Sequence, residues 1–506
     1  MILTFDLGTT AVKACLFDAA LSLRFSATVE YQLLTGEDAR VEFVADDYWV
    51  GMKACLGLLA SLAPEALAEV EGVGITTQGE TLVAVDRQGQ ALRNALVWLD
   101  GRAVQEAKTI RSLFDEKVFY SKTGIPDCNG LCPVSKLLWI KNHEPEVYRR
   151  TYKFLLLEDY VILRLTGRFV TEKSLLSTTG YFNIAEDGLW NEVLDAVGLD
   201  AGKIPEILEC GTVVGPLAPG IADELGLPPT TTVVTGAMDQ TAGAVGARNL
   251  QPGIMSETTG TALTLAVTTA HPDLFHPSRL SVYRHAFAGS YLYLPVCMTA
   301  GIVLKGFKDE YAADLVAQAE NEGRSVYDVL GDLADGVPLG SGGLVLVPYW
   351  AGVTQPDNNP AARGVVLGLS LDTKRGHVIR AIFEGVACML RENLEIVEAI
   401  TGGRVDSIRS LGGGSRSALW CQIKADVTDR EITTMAEPEC ASLGVAALVA
   451  VALGRFASLA QAVGAANAVA LVYRPDPAAV ATYEPQYRKY RQLYLRVRDL
   501  FDGVET

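Results

Sequence analysis

Residues 5–18 read Phe5-Asp6-Leu7-Gly8-Thr9-Thr10-Ala11-Val12-Lys13-Ala14-Cys15-Leu16-Phe17-Asp18, and the fold turns on how this stretch is understood. β-Prone residues from Ile2 lead into turn chemistry at Asp6 to Thr10, and Ala11 to Phe17 resume an apolar run, so the spacing predicts a β-hairpin. At its tip a glycine lets the backbone approach an anion closely, while the amides of Gly8, Thr9 and Thr10 and two hydroxyls supply hydrogen-bond donors. Lys13 adds a cation, and Asp6 is placed to hold Mg2+ through water. The same residues would also make an ordinary polar β-turn, and the hairpin alone does not separate the two readings. The commoner phosphate cradles are missing: no Walker A pattern occurs, and no GxGxxG follows a strand and opens a helix.

Outward from the hairpin, Val73 to Ile75 and Leu82 to Val85 read as further strands of the same sheet, joined by the loop Thr76 to Glu80. Helical segments are expected over 101–114, 134–142 and 158–165. A strand over 232–235 exits through Gly236-Ala237-Met238-Asp239 into a small-residue helix over 240–246. After Pro252-Gly253 the opening pattern restarts: Ile254 to Glu257, the turn Thr258-Thr259-Gly260-Thr261, then Ala262 to Val267. This weak duplication sets a domain boundary near residue 250, giving domains 1–248 and 249–506. Farther on, Val378, Ile379, Ile382, Phe383, Val386, Met389, Leu390, Leu394 and Val397 recur at three- and four-residue spacing, the mark of one buried helix face. The strand Ile408 to Leu411 follows, then Gly412-Gly413-Gly414-Ser415 opening a helix over 418–427.

Composition limits the function classes. With 506 residues the chain is long enough for two to four domains at about 150 residues each. Lys and Arg number 43 against 60 Asp and Glu, a formal charge of −17, which argues against nucleic acid as a bulk partner. The charge-free stretch Phe456 to Tyr473 is shorter than the roughly 20 apolar residues of a spanning helix and is broken by polar residues, so no membrane segment is expected. The start Met1-Ile2-Leu3-Thr4-Phe5 lacks the basic and apolar regions of a secretory signal, which makes the cytoplasm the expected compartment. The nine cysteines are scattered and odd in number, as reduced thiols are; the one close pair, Cys128 and Cys132, reads as loop thiols rather than a zinc site.

The hairpin at residue 6, the strand exit at 236, the second hairpin at 258 and the glycine run at 412 occur in one order. Together with GITTQGET at 74–81, VWLDGRA at 97–103, TGAMDQTAGAVG at 235–246, TAGIVLKGFKDE at 299–310, PYWAGVTQPDNNPAARGVVLGL at 348–369 and LGGGSRSALWCQIKADV at 411–427, they resemble the FGGY family of carbohydrate kinases, over about residues 2 to 453. The resemblance implies an α/β fold of two actin-like, RNase H-like ATPase domains flanking a catalytic cleft, with ATP and Mg2+ as cofactors. By that resemblance Asp239 is the catalytic base, with helix capping as its structural alternative. Asp6 positions Mg2+; Thr9, Thr10 and Lys13 line the first phosphate loop; Gly260 and Thr261 form the second. Gly301 and Lys305 match nucleotide contacts of glycerol kinases, although this Lys replaces a more usual Gln, and Gly413 and Ser417 resemble the adenine side. Gln78, Glu80, Trp98, Asp100, Arg102 and Gln240 match the acceptor side.

Departures narrow the choice of member. Glycerol kinases carry an Arg where Gly79 stands and a Tyr in the region of Leu131, so the site should be wider here. Xylulose kinases carry Met-His where this chain has Gly79-Glu80, and commonly Gly-Glu where it has Gly352-Val353, yet the Trp-x-Asp-x-Arg stretch is closer to theirs. The expectation is ATP-dependent phosphorylation of a small sugar or polyol, with a pentulose such as xylulose or ribulose as acceptor. The alternatives are a nucleotide-binding protein like actin or the heat-shock chaperones, or a sugar-sensing regulator without turnover. A homodimer is the family habit.

Overall fold

The computed structural model describes residues 1–355 and 357–501. Two compact units are present, and they are interleaved along the chain. The first comprises Met1–Leu250, Thr269–Leu292 and Glu439–Ala468; the second comprises Gln251–Thr268, Tyr293–Pro438 and the chain from Val469. A single cut after residue 248 therefore divides the sequence but not the packing.

In the first unit, β1 (Ile2–Leu7) and β2 (Ala11–Phe17) form the expected hairpin, extended by β3 (Leu23–Glu30). With β4 (Gly72–Thr77), β5 (Val213–Pro216) and β6 (Thr232–Met238) they make a sheet of order β5-β6-β4-β1-β2-β3. β1, β4 and β6 run parallel, and β5 is antiparallel to β6. Alternate residues of β1 feed two cores. Leu3, Phe5 and Leu7 join Tyr48, Met52 and Leu59 of α1 (Ala45–Leu62) and Tyr160 and Val161 of α2 (Leu157–Thr166), while Ile2 packs on the opposite face. A parallel strand buried on both faces needs such an unbroken apolar run, which is why Ile2 to Phe5 carries little alternation. From β6 the chain passes directly into α3 (Asp239–Gly246).

Leu82–Val85 does form a strand, but it leaves this sheet. It pairs with Ala95–Leu96 and Lys153–Leu156 in a separate five-stranded sheet. The cause is local: the Thr81 N–H bonds back to the Gly79 carbonyl at 2.8 Å, a three-residue turn that redirects the chain before a second pass is possible.

The second unit repeats the first pattern. β7 (Ile254–Thr259) and β8 (Leu263–Thr269) form a hairpin, β9 (Ser407–Leu411) runs parallel to β7, β10 (Glu431–Met435) parallel to β9, and β11 (Val469–Tyr473) antiparallel to β10. That is the same succession of senses as β2-β1-β4-β6-β5. The helices α4 (Gly301–Tyr311), α5 (Arg375–Thr401) and α6 (Ala418–Thr428) cover it, and the expected stripe of α5 is buried from Ile379 to Val397, with Val378 only half-buried. Inside, Lys424 and Glu257 form a fully buried ion pair at 2.6 Å, and Lys424 also donates to Thr259 Oγ1 at 2.9 Å. The ion pair ties α6 to the strand that carries the second hairpin.

α7 (Cys440–Ala452) brings the chain back to the first unit, where it lies against α3. The two helices touch backbone to backbone. A Cβ at Gly246 would stand 1.9 Å from the Cys440 carbonyl oxygen, and one at Gly444 2.0 Å from that of Ala242. Gly444→Ala should therefore destabilise the first unit by about 1–3 kcal/mol, read as a lower urea midpoint with unchanged slope. An unaltered midpoint would show that the helices part without cost.

Candidate active site

The carboxyl ends of β1, β4 and β6 lie side by side, with Asp6 in register with Thr76 and Thr76 with Ala237. Between Val234 and Ala237 the register slips, so that Thr235 and Gly236 together face Ile75. The slip demands glycine, because a Cβ at Gly236 would lie 1.6 Å from the Ile75 carbonyl oxygen. Beyond this bulge Asp239 is the first residue of α3. Met238 holds the capping position, and the Asp239 carboxylate accepts the Gln240 N–H at 2.6 Å. Burial and then the charge of Asp6 push Asp239 up to about 7. Burial pushes Asp6 up to about 6 against the pull of Lys13, whose ammonium is paired with Glu439 at 2.6 Å. The two carboxylates are thus raised chiefly by burial, Asp239 further by the Asp6 charge and Asp6 further by that of Glu439.

The first hairpin stands beside them. Tyr31 braces it, donating its N–H to Thr10 O at 2.9 Å and its hydroxyl to Gly8 O, and leaves Thr10 exposed at the tip. Thr9, expected on the phosphate side, turns toward the acceptor loops. Its hydroxyl donates to Gln78 Oε1 and accepts from Trp98 Nε1, each at 3.0 Å. Glu80 is the centre of the three-residue turn and sits at φ +62°, a left-handed conformation uncommon outside glycine. A Cβ at Gly79 would meet Thr178 and Met238 at 3.4 and 3.5 Å, so those two side chains close the space a larger residue would take.

Asp100 and Arg102 are drawn into each other. Arg102 donates to both Asp100 oxygens at 2.8 and 2.7 Å and to Glu42 at 2.6 Å, and the Val41 N–H takes the remaining approach to Asp100 at 2.7 Å. With Asp100 fully buried and the Arg102 side chain 3% exposed, their side chains brace the loop after Trp98. Sequence reasoning passed over Lys136 on the helix Pro133–His143. Its ammonium is fully buried and donates to the carbonyls of Val97 (2.8 Å), Glu80 (3.3 Å) and Trp98 (3.3 Å), joining the two acceptor loops. Burial lowers its proton affinity, opposed by Glu80; burial raises that of Glu80, opposed by Lys136. A lysine inside the apolar run Pro133 to Ile140 was the available signal. Tyr283, whose phenol is raised by burial and then by the Glu80 charge, was likewise missed and had no motif to mark it.

In the second unit, Gly260, Thr261, Gly301, Lys305, Gly413 and Ser417 line one cavity of about 250 Å³. The hairpin is clasped to the start of α4 by the Gly301 N–H to Gly260 O bond at 2.8 Å, and a Cβ at Gly301 would come within 2.4 Å of that oxygen. Ser417 caps α6 by accepting the Trp420 N–H at 3.2 Å, while Lys305 is exposed and paired with Asp309 at 2.6 Å. Sequence reasoning missed the cavity's aromatic wall: Phe383 and Trp420, stacked at 4.6 Å and 16°, with Tyr327. A flat heterocycle fits such a slot.

A strand-end carboxylate raised toward neutral pH in the first unit and a slot for a planar base in the second are groups that a phosphotransferase acting on an alcohol requires. Models of the FGGY family of carbohydrate kinases match residues 1–246 as its N-terminal domain and 255–453 as its C-terminal domain, and the chain belongs to that family. Kinases of this family use ATP as phosphoryl donor. The chain is 28% identical over 506 residues to a xylulose kinase of Bacillus subtilis (strain 168), covering 100% of this chain and 99% of that protein. It is 26% identical over 509 residues to a gluconokinase of the same organism, covering 100% and 97%. A ligand-bound xylulose kinase from Lactobacillus acidophilus shares the fold with a TM-score of 0.90 at 24% identity, covering 100% and 99% of the two chains.

Because Asp239 and Asp6 bind protons more tightly folded than unfolded, stability falls as pH rises from the ordinary value of 3.8 toward about 7 and about 6. Asp239→Asn should therefore raise the melting temperature of the ligand-free protein at pH 8, with the gain fading by pH 4. Equal gains at both values would contradict the raised proton affinity.

Proposed function

We propose that this carbohydrate kinase phosphorylates a hydroxyl of a neutral pentulose such as xylulose or ribulose, with Asp239 as general base. The observation that carries the acceptor class is the charge of the loops. Two cations at these loops are already engaged, Arg102 by Asp100 and Glu42 and Lys136 by three carbonyls, while Glu80 and Asp239 bring acid. An aldonate such as gluconate would bring a carboxylate toward loops whose Arg102 and Lys136 are already paired. A neutral polyol offers hydroxyls to Glu80, Gln78 and Gln240 and an apolar face to Trp98.

Asp239 accepts the proton of the attacking hydroxyl, and a base whose proton affinity lies near the working pH does this best. In the first unit the Thr10 hydroxyl and the amides of Thr9 and Thr10 are assigned to phosphate, the Gly8 N–H being taken by Ala11 O at 3.0 Å; in the second, Gly260 and Thr261 line the nucleotide cavity. The cavity beside Phe383 and Trp420 takes the purine. Mg2+ fits the donor set: Asp6 and Asp239 are carboxylates, and a hydrated ion of this kind is held by one or two carboxylates plus phosphates rather than by a protein cage. When bound, it neutralises phosphate oxygens; Asp6 would hold it.

ADP release from ATP should be stimulated by xylulose or ribulose and not by gluconate; the reverse order would overturn the neutral-acceptor reading. Asp239→Asn should lower kcat by about 10²–10⁴-fold while ATP still binds, and turnover at the parent rate would remove Asp239 from the base role.

A further inference from the structure

α3 begins where β6 becomes irregular, and the backbone N–H groups of the bulge are received by side chains rather than by a strand. The Gly236 N–H donates to Glu158 Oε1 at 2.7 Å. Two residues on, the Met238 N–H donates to Ser174 Oγ at 2.9 Å, and that hydroxyl donates to Glu172 Oε1 at 2.7 Å. Glu172 is itself fixed by the N–H groups of Ser174 (2.5 Å) and Leu175 (2.7 Å) and by the Cys210 thiol (2.8 Å). Glu158, Glu172 and Ser174 are all fully buried. They lie behind Asp239, and neither the acceptor loops nor the hairpins use them.

We propose that Glu158, and Ser174 held by Glu172, are positioning residues for phosphoryl transfer: they grip the backbone on either side of Ala237 and so fix the direction in which Asp239 leaves the strand. The inference rests on the assignment of Asp239 as base. The groups facing Glu158 are Glu172, Asp159 and Cys210, all acidic. Burial, then the charge of Glu172, holds its carboxyl well above the usual range, and its Oε1 accepts the Gly236 N–H at 2.7 Å. The amide oxygen of a Gln accepts the same N–H, whereas a Leu side chain has no acceptor to offer it.

Steady-state kinetics on Glu158→Leu, Glu158→Gln and Ser174→Ala test this, with ATP binding and melting temperature measured alongside. Glu158→Leu and Ser174→Ala should lower kcat by about 10- to 100-fold with KM for ATP unchanged, because a misplacement near 1 Å has that effect on a reacting group. Glu158→Gln should restore kcat to within a few-fold of the parent. Parent-like kcat in Ser174→Ala and Glu158→Leu would overturn the proposal, as would Glu158→Gln being as impaired as Glu158→Leu. Should Glu158→Leu fail to fold, Ser174→Ala, which removes one oxygen, decides alone. Asp239→Asn run in parallel separates the two assignments. If it is inactive while Ser174→Ala and Glu158→Leu are normal, only the positioning role falls; if it turns over normally, both do.

Discussion

The chemistry of the first unit depends on the parallel pairing of β1, β4 and β6. Open α/β sheets present ligand sites beyond the carboxyl ends of their strands, and here three neighbouring strands end level, so whatever each carries past its end must converge. β1 delivers Asp6, β4 delivers Gln78 and Glu80, and β6 delivers Asp239. Convergence is also why the charges of Asp6 and Glu80 add to the burial that raises the proton affinity of Asp239. The one-residue slip at Gly236 sets where β6 releases its acid, and that slip exists only because no side chain stands against Ile75.

The second unit uses the same hairpin and strand succession for a different task. Aligned on Gly8 and Gly260, the two tips differ where Asp6 faces Thr258, so the first copy carries an acid and the second does not. In the second copy the charge is interior. Lys424 and Glu257 neutralise each other beneath the tip, and Lys424 holds Thr259, which leaves the tip itself to glycine and hydroxyl. A buried pair of this kind is costly to half-remove and fixes the hairpin against β9 and α6 without presenting charge to a ligand.

Local pattern made much of this legible. The hairpins, the small-residue helix after Asp239 and the stripe of α5 are each specified by residues close in sequence, and the structure places them within a few residues of expectation. What was illegible depends on distant partners. Leu82–Val85 has the composition of a strand, but its sheet is chosen by a turn at Glu80 that is bonded rather than spelled. Lys136 belongs to no motif, and its place is known only from the three carbonyls of two loops around it. Asp100 and Arg102 match the acceptor side of the family pattern, but that they also pair with each other depends on how the loop after Trp98 folds. The return of 439–468 to the first unit rests on glycine contacts between α3 and α7, which no periodicity announces.

Glu80 shows how these hidden partners bear on the acceptor. A non-glycine residue at φ +62° inside a three-residue turn is strained and persists only where its surroundings over-determine it. Lys136 does so from one side, bonding the Glu80 carbonyl together with those of Val97 and Trp98. Gly79 contributes from the other, since Thr178 and Met238 already lie at contact distance from where its Cβ would be. Glycine at position 79 is thus more than an arginine lost relative to glycerol kinases. It leaves Met238, the residue before Asp239, at ordinary contact distance from the loop that carries Glu80, so that loop and the end of β6 are packed side by side.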